Sequence, residues 1–239
     1  MHDLTAFTLR DITEASATVR KMGSGAGSLE EVANRIVSYF HKNLINSSGD
    51  RSCALVRFFK THPYAGLPLE LQHFVRRLLS GEPRFEQMRC LTLMATAGAQ
   101  PDWNFRRKSA EHQAIPLPSY EISATAPMIS GLIHQFGIEL EMLLEPSQDQ
   151  ATSLARKVFK VFYVPEAHGS SCVPAQDTFV IPFGIRSVVG FGAMLPTGNL
   201  FAVILFSRTP ISRDTAEMFG SLALSAKVAV LPFEQSVFA

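Results

Sequence analysis

The sequence predicts an α+β domain, in which a mostly antiparallel sheet carries the N- and C-terminal helices on one face. A long insertion of loop and helix is expected to cover the other face. Runs rich in strand-forming residues lie between amphipathic helical segments at both ends of the chain, which is typical of such a sheet. In addition, 46% of the residues are hydrophobic and only 18% are charged. This composition favours a largely buried chain with an apolar pocket or an oligomer interface.

The first helices are predicted from their caps and apolar stripes. Residues 3–22 form one amphipathic pattern with Asp3 as N-cap, and the glycine-rich segment Gly23–Gly27 ends it. Ser28–Glu31 reads as a capping box at the start of a second helix with a wide apolar face. We expect three parts: an N-terminal helix and glycine-rich linker at 1–27, a single domain with an enlarged middle segment at 28–232, and a tail at 233–239.

The remaining elements alternate between strands and helices. Dense runs of strand formers, two prolines that can open helices and the turn sequence Pro196–Asn199 mark them. In chain order we expect a strand at 53–61, a helix at 68–78, a strand at 88–97, an irregular segment at 99–126, a helix at 127–136, a short element of open type at 139–144, a strand at 158–164, a loop at 165–175, a short strand at 179–181, a hairpin of 185–195 with 200–207, and a helix from Ser212 to Pro232.

The C-terminal third contains three segments in a characteristic order. Gly184–Ser187 is a turn of glycine, hydrophobic residue, arginine and serine before a strand. Gly198–Ser207 is a second turn and strand, and Pro210–Ala229 is a capped, alanine-rich helix. These segments resemble GAF domains, which are relatives of the PAS sensor fold. The segments 29–44 and 54–59 are similar in character to the first GAF helix and strand.

The resemblance implies a non-catalytic sensory or regulatory domain, of the type found alone or ahead of bacterial sensor histidine kinases. Such a domain binds a small ligand or a signalling partner and passes the signal through its terminal helices. Terminal helices often build dimers in this family, so a homodimer is expected. The sequence identifies neither the ligand nor a cofactor. No kinase, cyclase or DNA-binding region follows, so any output is expected from a partner protein or from a part of the protein outside this chain.

Candidate ligand-binding residues lie mainly in the middle segment. Imidazole, amide and hydroxyl groups on an extended loop can bind a polar ligand, and an arginine can bind a carboxylate or phosphate through two hydrogen bonds. For the loop histidines and for the arginine, an ordinary structural role is the favoured alternative. The candidates are His112, Gln113, Ser119, His168, Cys172, Gln176, Phe179 and Arg186.

Two other functions stay open as alternatives. A haem or metal sensor is possible because imidazole and thiolate groups are suitable ligands. Its ligands would come from His112, His134, His168 and Cys172. A methionine sulfoxide reductase of GAF type would need two cysteines close enough for thiol exchange. Cys53 and Cys90 fall on predicted strands and only Cys172 lies in a loop, which argues against such a pair.

The net charge, the cysteine spacing and the hydropathy of the chain predict which partners the protein has and where in the cell it is located. The net charge of +1 provides no field that would recruit nucleic acid or an anionic membrane. Three widely spaced cysteines do not resemble a secreted disulfide framework. Residues 1–10 show no signal-peptide pattern, and no apolar run is expected to span a bilayer. We therefore expect a cytoplasmic protein with neither a nucleic-acid nor a membrane partner.

Overall fold

A six-stranded antiparallel sheet organises the molecule. The computed structural model describes residues 1–79, 88–117, 126–144, 153 and 160–238. In these ranges the strands are β1 (His2–Asp3), β2 (Leu44–Ile45), β3 (Cys53–Pro63), β4 (Arg89–Gly98), β5 (Ala114–Leu117), β6 (Phe162–Val164), β7 (Ser187–Met194) and β8 (Leu200–Ser207). The α-helices are α1 (Leu9–Arg20), α2 (Leu29–Asn43), α3 (Leu69–Leu79), α4 (Pro127–Phe136), α5 (Leu140–Leu144), α6 (Arg213–Met218) and α7 (Gly220–Val230).

The strands follow the order β5-β4-β3-β8-β7-β6 across the sheet, and every neighbouring pair in it is antiparallel. The central pair joins β3 to β8, with Val56 opposite Leu205 and Phe58 opposite Val203. The short strands β1 and β2 form a separate parallel pair. The predicted α+β class with an antiparallel sheet is therefore confirmed, as is the hairpin of the last two strands.

The side chains of β8 separate into two layers because successive residues of a strand point to opposite faces. Phe201, Val203 and Leu205 pack in one core cluster with buried residues of α1, α2 and α7. Ala202 and Ile204 pack in a second cluster with buried residues of α4 and α5. The terminal helices thus share one face of the sheet, and the middle segment covers the other.

The N-terminal helix starts later than its sequence pattern suggests. Thr8 caps α1, because its hydroxyl accepts a hydrogen bond from Asp11 N and the Asp11 carboxylate accepts one from Thr8 N. Asp3, the predicted N-cap, instead caps a short 3₁₀ turn at Leu4–Ala6. The prediction of one helix over 3–22 is wrong at this end. Residues 2 and 3 form a strand that pairs with β2, and the helix begins only after the reciprocal cap at Thr8.

The second helix keeps only half of its predicted capping box. Ser28 Oγ accepts a hydrogen bond from Glu31 N at 3.1 Å. The Glu31 carboxylate accepts from Gly27 N at 2.8 Å and also pairs with Arg35 on the next turn. The Ser28 hydroxyl thus makes its predicted bond, while the reciprocal bond satisfies Gly27 N, one residue further back than predicted.

The short strand expected at 179–181 is absent, since Gln176–Val180 forms a single π-helical turn. Ala175 precedes it with a φ of 59°, which bends the chain sharply. The Gln176 amide then donates to the carbonyl oxygens of Ala167 and Val173, at 3.0 and 2.7 Å. The Gln176 side chain thus binds carbonyl groups of the preceding loop and holds this segment in a compact turn instead of an extended strand.

By length and composition alone, the helical run Arg213–Phe233 could cross a membrane. The expectation that no run has this length is corrected for this segment. Core helices meet the same condition, and here the buried residues Leu222, Ala226 and Val230 pack in the cluster that contains α1, α2 and the sheet. The run therefore serves as the last core helix of the described fold.

Gly192 of β7 permits a close approach of both β8 and the Phe136 ring of α4. A Cβ atom there would lie 2.2 Å from the Phe201 carbonyl oxygen and 2.9 Å from the Phe136 ring. Gly192→Ala should therefore lower the free energy of unfolding by about 1–3 kcal/mol, measured by urea denaturation. Gly66→Ala is the control, since a Cβ atom at Gly66 meets nothing within 4 Å. Equal stability of the two variants would contradict this packing.

His41, in the last turn of α2, should make the protein less stable as the pH falls. Burial, and then the nearby cations Arg51 and Arg208, lower the pKa of His41 to about 4. Its contribution is complete above the unfolded pKa of about 6.5 and is lost as pH falls toward the folded value. The unfolding free energy should drop by about 1 kcal/mol per pH unit over that window.

Urea denaturation at neutral and mildly acidic pH checks this dependence. The variant His41→Leu cannot gain the proton, so its stability should fall less between the two conditions than that of the wild type. The matched control is His168→Leu at an exposed position, which should keep the wild-type dependence. A His41→Leu protein with the unchanged pH dependence would show that His41 is not the group responsible.

Candidate functional site

A cavity of about 480 Å³ lies on the sheet face opposite α1, α2 and α7. Its floor is formed by side chains of the two central strands β3 and β8, and its roof by α4. The loop that leads into the π-helical turn closes one side. The apolar lining comes chiefly from Leu55, Phe59, Met128, Ile129, Leu132, Ile133, Phe179, Ile204 and Phe206.

Arg57 places a cation on this apolar floor. It lies opposite Thr96 of β4 and Ile204 of β8 in the sheet. Val56 and Phe58 on either side of it face the terminal helices, so that Arg57 shares the cavity face with its second neighbours along β3. The alternation of the strand thus directs the guanidinium into the cavity.

The guanidinium of Arg57 has no protein partner in the described part of the chain. Its Nε is shielded from solvent and has no hydrogen-bond acceptor. Burial lowers the pKa of Arg57 to about 10, which still leaves it charged at neutral pH. A buried donor without an acceptor costs roughly 1–3 kcal/mol, and more when it is charged. Among the described residues, the Nε donor of Arg57 at the base of the cavity therefore remains uncompensated.

An aromatic wall stands beside this charge. The Trp103 ring contacts Phe179 and Phe183, with ring centroids 5.5 and 4.5 Å apart. Phe179 also packs edge-on against Phe206 at 5.1 Å. Gly98 makes room for the tryptophan, since a Cβ atom there would lie 2.9 Å from Trp103. The only tryptophan of the chain is thereby held against the cavity.

A second cavity of about 280 Å³ adjoins the first and is more polar. The two share Arg57, Trp103, Glu111 and His112 in their linings. The second one also contains an ion pair of Lys108 with Asp102 at 2.6 Å, and a buried Ser109 hydroxyl that lacks a hydrogen-bond partner among the described residues. The shared residues form a junction between an apolar chamber and a polar one.

His112 stands at this junction as a neutral imidazole. Burial, and then the charge of Arg57, lower the pKa of His112, while Glu111 opposes the shift. At neutral pH the ring therefore carries no charge and can donate or accept a hydrogen bond. His112 and Phe179 are the two sequence candidates that line the larger cavity.

Two glutamines among the candidates hold backbone segments together. Gln113 donates from its amide to the carbonyl oxygens of Arg107 and Ser109, at 2.8 and 3.0 Å. Gln176 donates to carbonyl groups of the loop before it and accepts from Gly169 N at 2.9 Å. Both side chains thus shape the walls, and neither is among the residues that line the cavity.

The remaining candidates lie away from the junction. His168 is exposed, and so is Arg186, whose guanidinium lies 4.0 Å from Glu166. Cys172 is half-buried next to Gly131 of α4. Ser119 lies outside the described residues. None of these three described residues lines either cavity.

The structure does not bring the proposed metal ligands together. In the described ranges, no group of three or more His, Cys, Asp and Glu side chains is placed to hold a metal ion. His134 is exposed on α4, and His112 lies at the junction of the cavities. The alternative set of His112, His134, His168 and Cys172 therefore forms no metal centre within these ranges.

Arg57 and Trp103 are the site residues that sequence reasoning missed. A signal for Arg57 was available, because it interrupts the apolar run from Ala54 to Phe59 in the predicted strand. A charge at such a position needs either a partner or a function. Trp103 offered no local signal, since its place depends on the contact with residues far along the chain.

Comparison with known proteins adds no family assignment. No protein-family model matches the chain, and no curated protein matches it as a relative.

The three cysteines should differ sharply in reactivity. Burial raises the pKa of Cys53 and of Cys90 to about 12, whereas Cys172 is partly exposed. In the native protein a thiol reagent should therefore modify Cys172 first, and the other two only after denaturation. Mass spectrometry after brief labelling checks this, with Cys172→Ser as the control that should remain unmodified. Rapid native labelling of Cys53 or Cys90 would contradict the packing.

Proposed function

We propose that this chain is a non-catalytic, GAF-like sensory or regulatory domain that binds a small, largely apolar ligand. The observation that carries the proposal is the cavity of about 480 Å³ on the sheet face opposite the terminal helices. Its volume is within the range of small-molecule sites, and its lining is apolar with a few converging polar groups. The GAF-like arrangement is supported by the antiparallel sheet with α1, α2 and α7 on one face.

The placement of the cysteines favours a binding role over a sulfoxide reductase. Cys53 packs in the cluster with the terminal helices, and Cys90 packs with α3. Cys172 packs on the opposite side, in the cluster that surrounds the cavity. Thiol exchange needs a reactive thiolate close to a second cysteine. The raised pKa of both buried thiols and the separation of the three residues oppose that chemistry.

The central strands offer a route from ligand to output. Ile204 lines the cavity, while its neighbours Val203 and Leu205 contact the cluster of the terminal helices. A ligand that shifts β8 would therefore alter the packing of α1, α2 and α7. Coupling through these helices to a signalling partner is part of the proposal, as is a cytoplasmic location without nucleic acid or membrane partners.

The proposed homodimer has a candidate surface on α7. Leu224, Val228 and Leu231 are large apolar residues that remain exposed, at spacings that place them along one side of the helical run. Their neighbours Leu222, Ala226 and Val230 are buried. A dimer formed by these exposed residues would place the signal-carrying helix at the subunit interface.

Filling the cavity should abolish ligand binding. A screen of small apolar metabolites by thermal shift should find ligands that raise the Tm of the wild type by several degrees at about 100 times Kd. Ile204→Trp inserts an indole from the floor and should remove this shift. Leu132→Trp is a second filling variant from the roof, for the case that the strand does not tolerate the first.

Leu69→Trp is the matched control, since it adds the same ring at an exposed position of α3 away from the cavity. It should retain the ligand-dependent shift, and circular dichroism should verify the fold of all three variants. If the folded filling variants respond to the ligand as the wild type does, the ligand does not occupy this cavity. If no compound stabilises the wild type, the binding function itself loses its support.

A further inference from the structure

We propose that the ligand is a small carboxylate with an apolar body, and that Arg57 binds its carboxylate group at the junction of the two cavities. This inference rests on the proposed ligand-binding function and specifies the chemical class of the ligand. The apolar body would occupy the larger cavity, while the carboxylate would lie where that cavity meets the polar one. Arg57 lines both.

The first argument is the unmet charge of Arg57. A guanidinium presents five N–H donors, and in the described residues Arg57 gives none of them to a carboxylate. Its Nε is buried without an acceptor. A carboxylate ligand matches the planar donor pair of arginine through two parallel hydrogen bonds. Binding would therefore replace a desolvated, unpaired cation with a neutral ion pair.

The second argument is the set of neutral donors at the same junction. The Ser109 hydroxyl is buried and lacks a partner among the described residues, and it lines the polar cavity together with Arg57 and His112. The pKa of His112 is lowered by burial and by the Arg57 charge. The imidazole therefore stays neutral and can donate a hydrogen bond without repelling the guanidinium. Together with the Arg57 cation, this hydroxyl and this imidazole can bind one anionic group. The Glu111 carboxylate also lines both cavities, but Glu111 is exposed to solvent, which weakens its repulsion of an anion.

The third argument is the rest of the lining. Apart from the junction, the larger cavity is formed mainly by aliphatic side chains of β3, β8 and α4. The aromatic rings of Phe59, Trp103, Phe179 and Phe206 complete it. Such a surface binds an apolar body through area removed from water and offers few partners for further polar groups. A cationic ligand would bring a like charge against Arg57. A sugar or nucleotide would leave its hydroxyl groups unpaired in the apolar chamber.

Intrinsic fluorescence provides a direct measurement, since Trp103 is the only tryptophan and lies at the junction. The probes are decanoate and cyclohexylacetate, which do not absorb or emit where tryptophan does, each compared with the uncharged alcohol of the same carbon skeleton. Wild-type protein should bind each carboxylate about tenfold or more tightly than its alcohol, because a hydrogen-bonded charge pair is worth at least one decade of Kd.

The variant Arg57→Met removes the charge and keeps an apolar side chain of similar reach. It should abolish the preference for the carboxylates while alcohol binding persists. Its Tm without ligand should rise above that of the wild type, since an unpaired buried charge is lost. Arg186→Met is the matched control at an exposed arginine outside both cavities, and it should keep the wild-type preference.

Two outcomes would overturn the inference and leave the proposed function intact. One is equal binding of carboxylates and alcohols by the wild type. The other is an Arg57→Met protein that is folded and still prefers carboxylates. If none of the four probes changes Trp103 fluorescence and none raises the Tm, the inference is wrong, and the ligand-binding function then depends on the outcome of the wider metabolite screen.

Discussion

The antiparallel pairing of β3 with β8 is the constraint on which the rest of the structure depends. It joins the first long strand of the chain to the last, so the sheet is complete only when both chain ends are in place. As the central pair, these strands have neighbours on both edges and layers on both faces, and all eight residues of β8 are buried. Any polar side chain directed inward from them must therefore find a partner inside the protein or its ligand.

Because successive residues of a strand point to opposite faces, this strand pair contributes to two separate core clusters, one on each face of the sheet. Odd-numbered residues of β8 from 201 to 205 contact the terminal helices, and even-numbered residues from 202 to 206 contact the middle segment. The two layers thus contact each other through the thickness of the sheet. The same strands form the floor of the cavity and pack against α7, so a bound ligand would act on an element that the terminal helices also contact. This relation requires no separate transmitting loop.

Stability and function pull in opposite directions at Arg57. An aliphatic residue would pack better beside Leu55 and Phe59, whereas a guanidinium without a partner destabilises the free protein. In the proposed function, the same charge would orient a ligand with one anionic end in the cavity. Positions at which a chain departs from its own local pattern are often functional ones. In this fold that position lies at the centre of the sheet, where relaxation of the backbone is most restricted.

The sequence by itself determined the α+β class, the last hairpin and the start of α2, because periodicity, turn residues and caps act over a few neighbouring positions. It misplaced the start of α1, which Thr8 caps. It also predicted a strand where Gln176–Val180 forms a π-helical turn, because the Gln176 amide binds backbone carbonyl groups of the preceding loop. It also named His112 and Phe179 but not Arg57 or Trp103. Only the tertiary structure decided that these residues share one cavity, because they come from segments that meet solely through long-range packing and sheet pairing.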